Sequence, residues 1–187
     1  MTGGALLSAL LLAAPASAVT ADQPPDGSLA AREQARLCEK LSGEESVAAC
    51  RSALALGLGP SRAASVRQLL AFRLASLDRW DEVVAVYREA ARLRPGDADA
   101  QLRLGSALLL AADQPEEALE PLREAFRLRP TDPRPHVLLG DALNALGRHG
   151  EAVAAFEEAL RLDPEALDGL PAAQAALAAC RRQQAWP

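Results

Sequence analysis

Apolar residues along this chain recur three and four positions apart, in segments of several helical turns separated by short breaks rich in Gly, Pro and Asp. The stretch "HVLLGDALNALGRHGEAVAAFEEALRLDP", residues 136–164, shows the pattern. Small residues stand at Gly140, Ala152 and Ala159, with large apolar residues such as Leu143 and Phe156 between them. Half the residues are hydrophobic but only 3% are aromatic, so the core has to be built from Ala, Leu and Val. Ala and Leu are strong helix formers, and runs of β-branched residues are absent. The pattern predicts an all-α protein.

The helical segments repeat. Pro95, Pro130 and Pro164 each close a Leu-x-Pro motif begun by Leu93, Leu128 and Leu162, at intervals of 35 and 34 residues. A period of this length is the mark of stacked helical hairpins. Three copies align. The first carries Leu70-Ala71, Leu74, Val83, Tyr87, Ala90 and Pro95. The second carries Leu104-Gly105, Leu108, Ala118, Leu122, Ala125 and Pro130, and the third Leu139-Gly140, Leu143, Ala152, Phe156, Ala159 and Pro164. On these residues the chain resembles the tetratricopeptide repeat family, whose pattern has a small residue late in helix A, Ala, an aromatic and Ala along helix B, and Pro after it. The resemblance implies a short right-handed α-solenoid with repeats at 64–97, 98–132 and 133–166. The middle copy holds one extra residue, placed in "AADQPEE" between its helices.

Packing logic accounts for the pattern. Gly140 and Ala152 are expected where the two helices of a hairpin approach closest, and Phe156 and Leu143 where the neighbouring hairpin docks. Three departures stand out: Arg67, Gln101 and His136 replace the aromatic expected early in helix A, Val83 replaces an Ala, and Leu122 replaces the helix-B aromatic. Residues 28–63 read as a fourth, degenerate hairpin, in which "SVAACRSALAL" aligns with "EAVAAFEEALRL". Residues 167–187 read as a capping helix and tail that cover the last apolar face, with Pro171 at its start and Ala172, Ala176, Leu177 and Cys180 on one stripe.

The N-terminus changes the picture of where the protein acts. Residues 5–18, "ALLSALLLAAPASA", are uncharged, too short to span a bilayer, and end in the small-residue pattern of signal-peptide cleavage. Export with cleavage after Ala18, to the periplasm or the outside, is the expectation, although "MTGG" lacks the usual basic residue. An uncleaved N-terminal helix is the other reading. Residues 19–27 are then a polar lead-in, and no membrane insertion is expected once the leader is removed.

Of the three cysteines, Cys38 and Cys50 lie equally far from Glu44 in the turn of the first hairpin. Antiparallel helices about 9 Å apart then bring their Cα atoms within disulfide reach. A Cys38–Cys50 bridge and two reduced, buried cysteines both remain open here. Metal ligation has little support, since no Cys-x-x-Cys and no nearby His is present. Cys180 is expected to pack on the capping helix.

Candidate chemistry is sparse. Net charge is −5, which argues against a nucleic-acid footprint. His136 and His149 read as solvated surface residues. No catalytic triad, phosphate cradle or haem motif is present, so no enzyme activity, cofactor or metal is expected. What remains is the concave face. Family resemblance places a partner-binding groove on helix A, at Gln68, Leu69 and Phe72 in the first repeat. It adds Asp99, Leu102, Arg103, Ser106, Leu109 and Leu110 in the second, and Arg134, Val137, Leu138, Asp141 and Asn144 in the third. The Lys/Asn/Arg carboxylate clamp of some family members is largely missing, with only Arg134 at one of its positions. The implied function is a non-catalytic adaptor that holds another protein's peptide or helix. A purely structural or self-associating subunit is the alternative.

Overall fold

The computed structural model describes residues 27–184 except residue 112. The leader at 1–18, the lead-in up to residue 26 and the last three residues of the tail lie outside the described residues. The described residues form nine α-helices: α1 (Leu29–Lys40), α2 (Gly43–Ala55), α3 (Pro60–Ala75), α4 (Trp80–Leu93), α5 (Ala98–Leu110), α6 (Pro115–Leu128), α7 (Arg134–Ala145), α8 (His149–Leu162) and α9 (Pro171–Gln184). Each helix packs on its successor in the chain, giving four antiparallel hairpins and a final cap.

Local chemistry starts and stops these helices. Ser28 Oγ accepts from Ala31 N at 3.1 Å, and Asp97 Oδ1 accepts from Asp99 N and Ala100 N at 3.1 and 3.2 Å, satisfying first-turn N–H groups. Pro60, Pro115 and Pro171 open α3, α6 and α9, where the missing N–H costs nothing. Leu93, Leu128 and Leu162 are the last residues of the B helices α4, α6 and α8, two positions before Pro95, Pro130 and Pro164. One boundary differs from the sequence expectation. Helix α3 begins at Pro60, not residue 64, because Gly57 and Gly59 break the chain and Pro60 restarts it; the first hairpin therefore ends in the loop 56–59.

The extra residue of the middle repeat is visible in its turn. Arg79 N donates to Leu74 O, and Arg148 N to Leu143 O, each five residues back, at 3.0 and 2.9 Å. In the middle repeat Gln114 N donates to Leu108 O, six residues back, at 2.9 Å. Leu74, Leu108 and Leu143 are equivalent positions, so the same closing hydrogen bond is kept and the insertion is absorbed inside it. The left-handed backbone position of each turn falls on Asp78, Asp113 and Gly147.

Inside each hairpin the small residue of helix A receives the large residue of helix B. A Cβ at Gly140 would lie 2.6 Å from Phe156 Cε1, and one at Gly105 would lie 2.5 Å from Leu122 Cγ. Phe156 and Leu122 are both fully buried. Phe156 thus packs within its own hairpin, over Gly140. Leu122 takes the same seat as the aromatic it replaces. In the first repeat Ala71 supplies a methyl where the others have none, and its counterpart Tyr87 is only half-buried, facing the inner side. Ala152 and Ala118 are fully buried, as close-contact positions should be.

The degenerate first hairpin is stapled. Cys38 and Cys50 form a disulfide across α1 and α2, with Cα atoms 4.8 Å apart. Beside it the buried Ser46 Oγ donates to Cys38 O at 2.8 Å. Charged side chains tie this hairpin to the next: Glu44 accepts from Arg79 at 2.7 Å, Arg79 also pairs with Glu82, and Glu82 with Arg51. Exposed pairs of this kind are screened by water and contribute little to stability.

At the other end α9 packs on both α8 and α7. Its inward stripe is Ala173, Leu177 and Cys180, all buried, with Ala176 half-buried. Ala172, expected on that stripe, is exposed, since one residue turns the helix by about 100°.

Candidate partner-binding groove

The A helices α3, α5 and α7 form the inner layer. Helices α5 and α7 touch, as do α1 and α3, and α7 and α9, but no Cα of α3 comes within 8 Å of one in α5. The inner layer is thus split between the first and second repeats. A groove of about 680 Å³ opens there and runs on toward α7 and the segment before α9.

Leu102, Ala107 and Val137, nearly buried, form its floor together with Val83 of α4. Phe72 on α3 and Leu110 on α5 stand up from its walls, 64% and 70% exposed. Trp80 and Leu170 add further exposed apolar surface at the ends. Water-exposed large apolar side chains gathered on one concave surface cost free energy that a docked partner would recover. Polar positions are few: Gln68, Ser106, Asp99, Arg103 and Arg134.

Of the residues expected in the groove, Phe72, Leu102, Arg103, Ser106, Arg134 and Val137 line it, with Gln68, Asp99, Leu110 and Leu138. Leu69, Leu109, Asp141 and Asn144 do not; Leu69 packs against the core instead. Leu109 is half-buried and packs on the core. Asn144 is covered by the cap: its Oδ1 accepts from Cys180 Sγ at 3.0 Å. Asp141 is half-buried away from the groove lining, and burial pushes its carboxyl above the ordinary range. Trp80 was absent from the sequence expectation because it opens a B helix, whereas the family's groove rule covers A helices alone.

Arg134 is not a free fork. Its Nε donates to Asp132 Oδ1 at 2.9 Å and its Nη2 to Asp132 Oδ2 at 2.6 Å, with Asp99 Oδ1 3.4 Å away. Asp99 also accepts from Arg129 at 3.1 and 3.2 Å. The hydrogen bonds from Arg129 hold the Asp99 carboxyl below its usual value, and those from Arg134 do the same for Asp132. Arg134 therefore locks the entry to α7, where Asp132 Oδ1 also accepts from its backbone N at 3.1 Å.

Both histidines differ from the solvated expectation. His136 packs edge-on against Phe126, ring centroids 4.2 Å apart, and burial lowers its basicity. It occupies the early helix-A aromatic seat, which explains how the repeat tolerates the replacement. His149 lies with its Nδ1 3.5 Å from Cys180 Sγ. Desolvation raises the Cys180 thiol above its usual value, so it stays protonated and buried, a packing group on α9. Among the described residues no group of three or more His, Cys, Asp or Glu could hold a metal ion, and no helix is long and apolar enough to cross a membrane.

The tetratricopeptide repeat family model matches residues 69–133 and again 108–167, two overlapping placements that span more than half of the chain. The chain belongs to the tetratricopeptide repeat family. No curated protein sequence matches it. Solved structures place the fold. A crystal structure of MamA protein superposes with a TM-score of 0.67 at 16% identity, over 83% of this chain and 82% of that one. YrrB, described as a tetratricopeptide repeat protein with an unusual peptide-binding site, gives 0.60 at 23% identity, over 82% and 74%. The Arabidopsis OM64 tetratricopeptide repeat domain gives 0.55 at 23%, over 64% and 95%. These likenesses establish the α-solenoid architecture of stacked hairpins that the repeat period implies.

Proposed function

We propose that this tetratricopeptide repeat protein is a non-catalytic adaptor of the cell envelope or secreted space, and that it receives an apolar peptide or helix of another protein in the groove between α3, α5 and α7. The observation that carries this reading is the exposure of Phe72 and Leu110 on opposite walls of one concave surface. An interface concentrates its energy on a few central apolar anchors, and these two are placed to be such anchors. YrrB, with its peptide-binding site, offers a precedent on the same fold. The Cys38–Cys50 bridge supports an oxidising compartment, since structural disulfides rarely persist in a reducing cytosol.

The test is capture of a partner from the native envelope fraction, identification of its bound segment, and measurement of that segment's affinity for the wild type and for Phe72→Ala/Leu110→Ala. The double variant should weaken binding at least 30-fold, about 2 kcal/mol, with unchanged helix content. Undiminished affinity would remove the groove as the site. Light scattering of the wild type alone separates this reading from self-association, for which the apolar groove would have to be covered in a dimer or larger assembly.

A further inference from the structure

The gap between α3 and α5 has a second, smaller recess at its outer end, about 220 Å³, lined by Arg67, Gln68, Tyr87, Arg94, Asp97 and Arg103 among others. It shares Gln68, Tyr87 and Arg103 with the apolar groove, so the two are continuous. Its charges do not balance. Asp97 is committed to Arg94 at 3.1 Å and to the first N–H groups of α5. Asp99, also on its wall, is committed to Arg129 and Arg134. Glu89, which lies close enough to act on Arg67 electrostatically, is held by both of its oxygens on Arg92, at 3.0 Å each. Among the described residues neither Arg67 nor Arg103 forms an ion pair. Arg67 is half-buried, and its guanidinium is held below the ordinary value by desolvation first and then by the charge of Arg94, the condition of a cation that lacks its counter-charge.

We infer that this recess is an anion subsite of the groove, in which Arg67 and Arg103 receive an acidic side chain of the bound partner. The inference rests on the groove reading above and adds the partner's chemistry to it: an amphipathic segment with Asp or Glu at a set distance from a large apolar anchor. Helix geometry sets that distance. Arg67 lies five residues before Phe72 on α3 and Arg103 seven before Leu110 on α5, hence about 7–11 Å along the groove at 1.5 Å per residue. In a helical partner that is one to two turns. The site differs from a terminal-carboxylate clamp in taking an internal side chain, and Arg134 takes no part in it because its fork is occupied by Asp132. The half-buried Arg67 guanidinium gains more from a carboxylate than a fully exposed one would, since its planar fork matches a carboxylate's two oxygens and the recess excludes part of the competing water; Arg103 adds a second, exposed fork at the mouth.

Selection of displayed random 16-residue peptides on the full chain, followed by affinity measurement with one synthesised winner, tests this. Winners should carry Asp or Glu one to two helical turns from Leu, Phe or Trp. Glu→Gln in the winner should weaken binding to the wild type on the order of ten-fold, and rising salt should weaken it further. Against Arg67→Gln/Arg103→Gln the same Glu→Gln change should have almost no effect. Arg103→Gln alone, at an exposed position, should leave helix content unchanged and show about half of that loss of sensitivity on a logarithmic scale. Winners without acidic residues, or an equal Glu→Gln effect on wild type and double variant, would overturn the anion subsite while leaving the groove. Binding that survives Phe72→Ala/Leu110→Ala, or a selection that enriches nothing, would overturn the groove and the subsite together.

Discussion

Gly140 lies so close beneath the ring of Phe156 that a methyl group there would sit 2.6 Å from Cε1. The ring is fully buried. Gly140→Ala should therefore destabilise the protein by about 1–2 kcal/mol, because overpacking of about 1–3 kcal/mol exceeds the gain of up to about 1 kcal/mol that Ala brings to a helix interior. Ala152→Leu in the same hairpin should cost about 1–3 kcal/mol. Glu120→Ala, exposed on α6, should stay within about 0.5 kcal/mol. Urea midpoints of the three variants check the ranking; equal midpoints would contradict the packing described.

The Cys38–Cys50 bridge closes a loop of 12 residues in sequence. Removing it by Cys38→Ser/Cys50→Ser should cost about 2–3 kcal/mol, chiefly through a less constrained unfolded chain. Peptide mapping without reduction should recover the two cysteines linked and Cys180 free. Recovery of both as free thiols from the native compartment would contradict the staple.

Two groups should make stability depend on pH in separate windows. The Asp132 carboxyl is depressed by Arg134, so its contribution is complete above the unfolded value near about 3.9 and fades as pH falls through the lower folded value. Asp132→Asn should cost about 1–2 kcal/mol at pH 7, and the gap from wild type should close in acid. His136 is buried beside Phe126, and its basicity is lowered by desolvation, with Glu158 opposing and Arg161 reinforcing. Folding thus favours the neutral ring, a contribution complete above about pH 6.5 and lost as pH falls below it. His136→Phe should keep the edge contact and flatten the profile between about pH 7 and 5. Chemical denaturation across pH with both variants checks each window.

The repeat and the hairpins were legible because they depend on spacing alone: Pro95, Pro130 and Pro164 mark helix ends whatever surrounds them. The pairing of Cys38 with Cys50 was reached with the turn placed too late, since the break falls at Leu41 and Ser42 and Glu44 lies in the first turn of α2; what holds is that the two cysteines sit on facing helices of one hairpin. Facing directions were less legible. Adjacent positions differ by about 100° around a helix, which separates Leu110 in the groove from Leu109 on the core, and Ala173 from Ala172 on α9. Asn144 was beyond reach for another reason: whether it is open or covered depends on where α9, 36 residues on, comes to rest. The engagement of Arg134 by Asp132, two residues earlier, is a loop geometry that no periodicity records.

Export predicts a mature chain that begins at Val19. Intact-mass spectrometry of the protein from its native envelope fraction checks it, and a cytosolic chain that retains Met1 would overturn the proposed compartment.

Site-specific photocrosslinking tests the central claim most directly. A photoreactive residue at position 72, on the groove wall, and one at position 120, on the outer surface of α6, are compared in the native host. Position 72 should crosslink to a single partner segment, and Phe72's neighbour across the groove, Leu110, should compete for it when it carries the probe instead. Position 120 should give none. A partner crosslinked from position 120 and not from position 72 or 110 would contradict the groove as the binding surface.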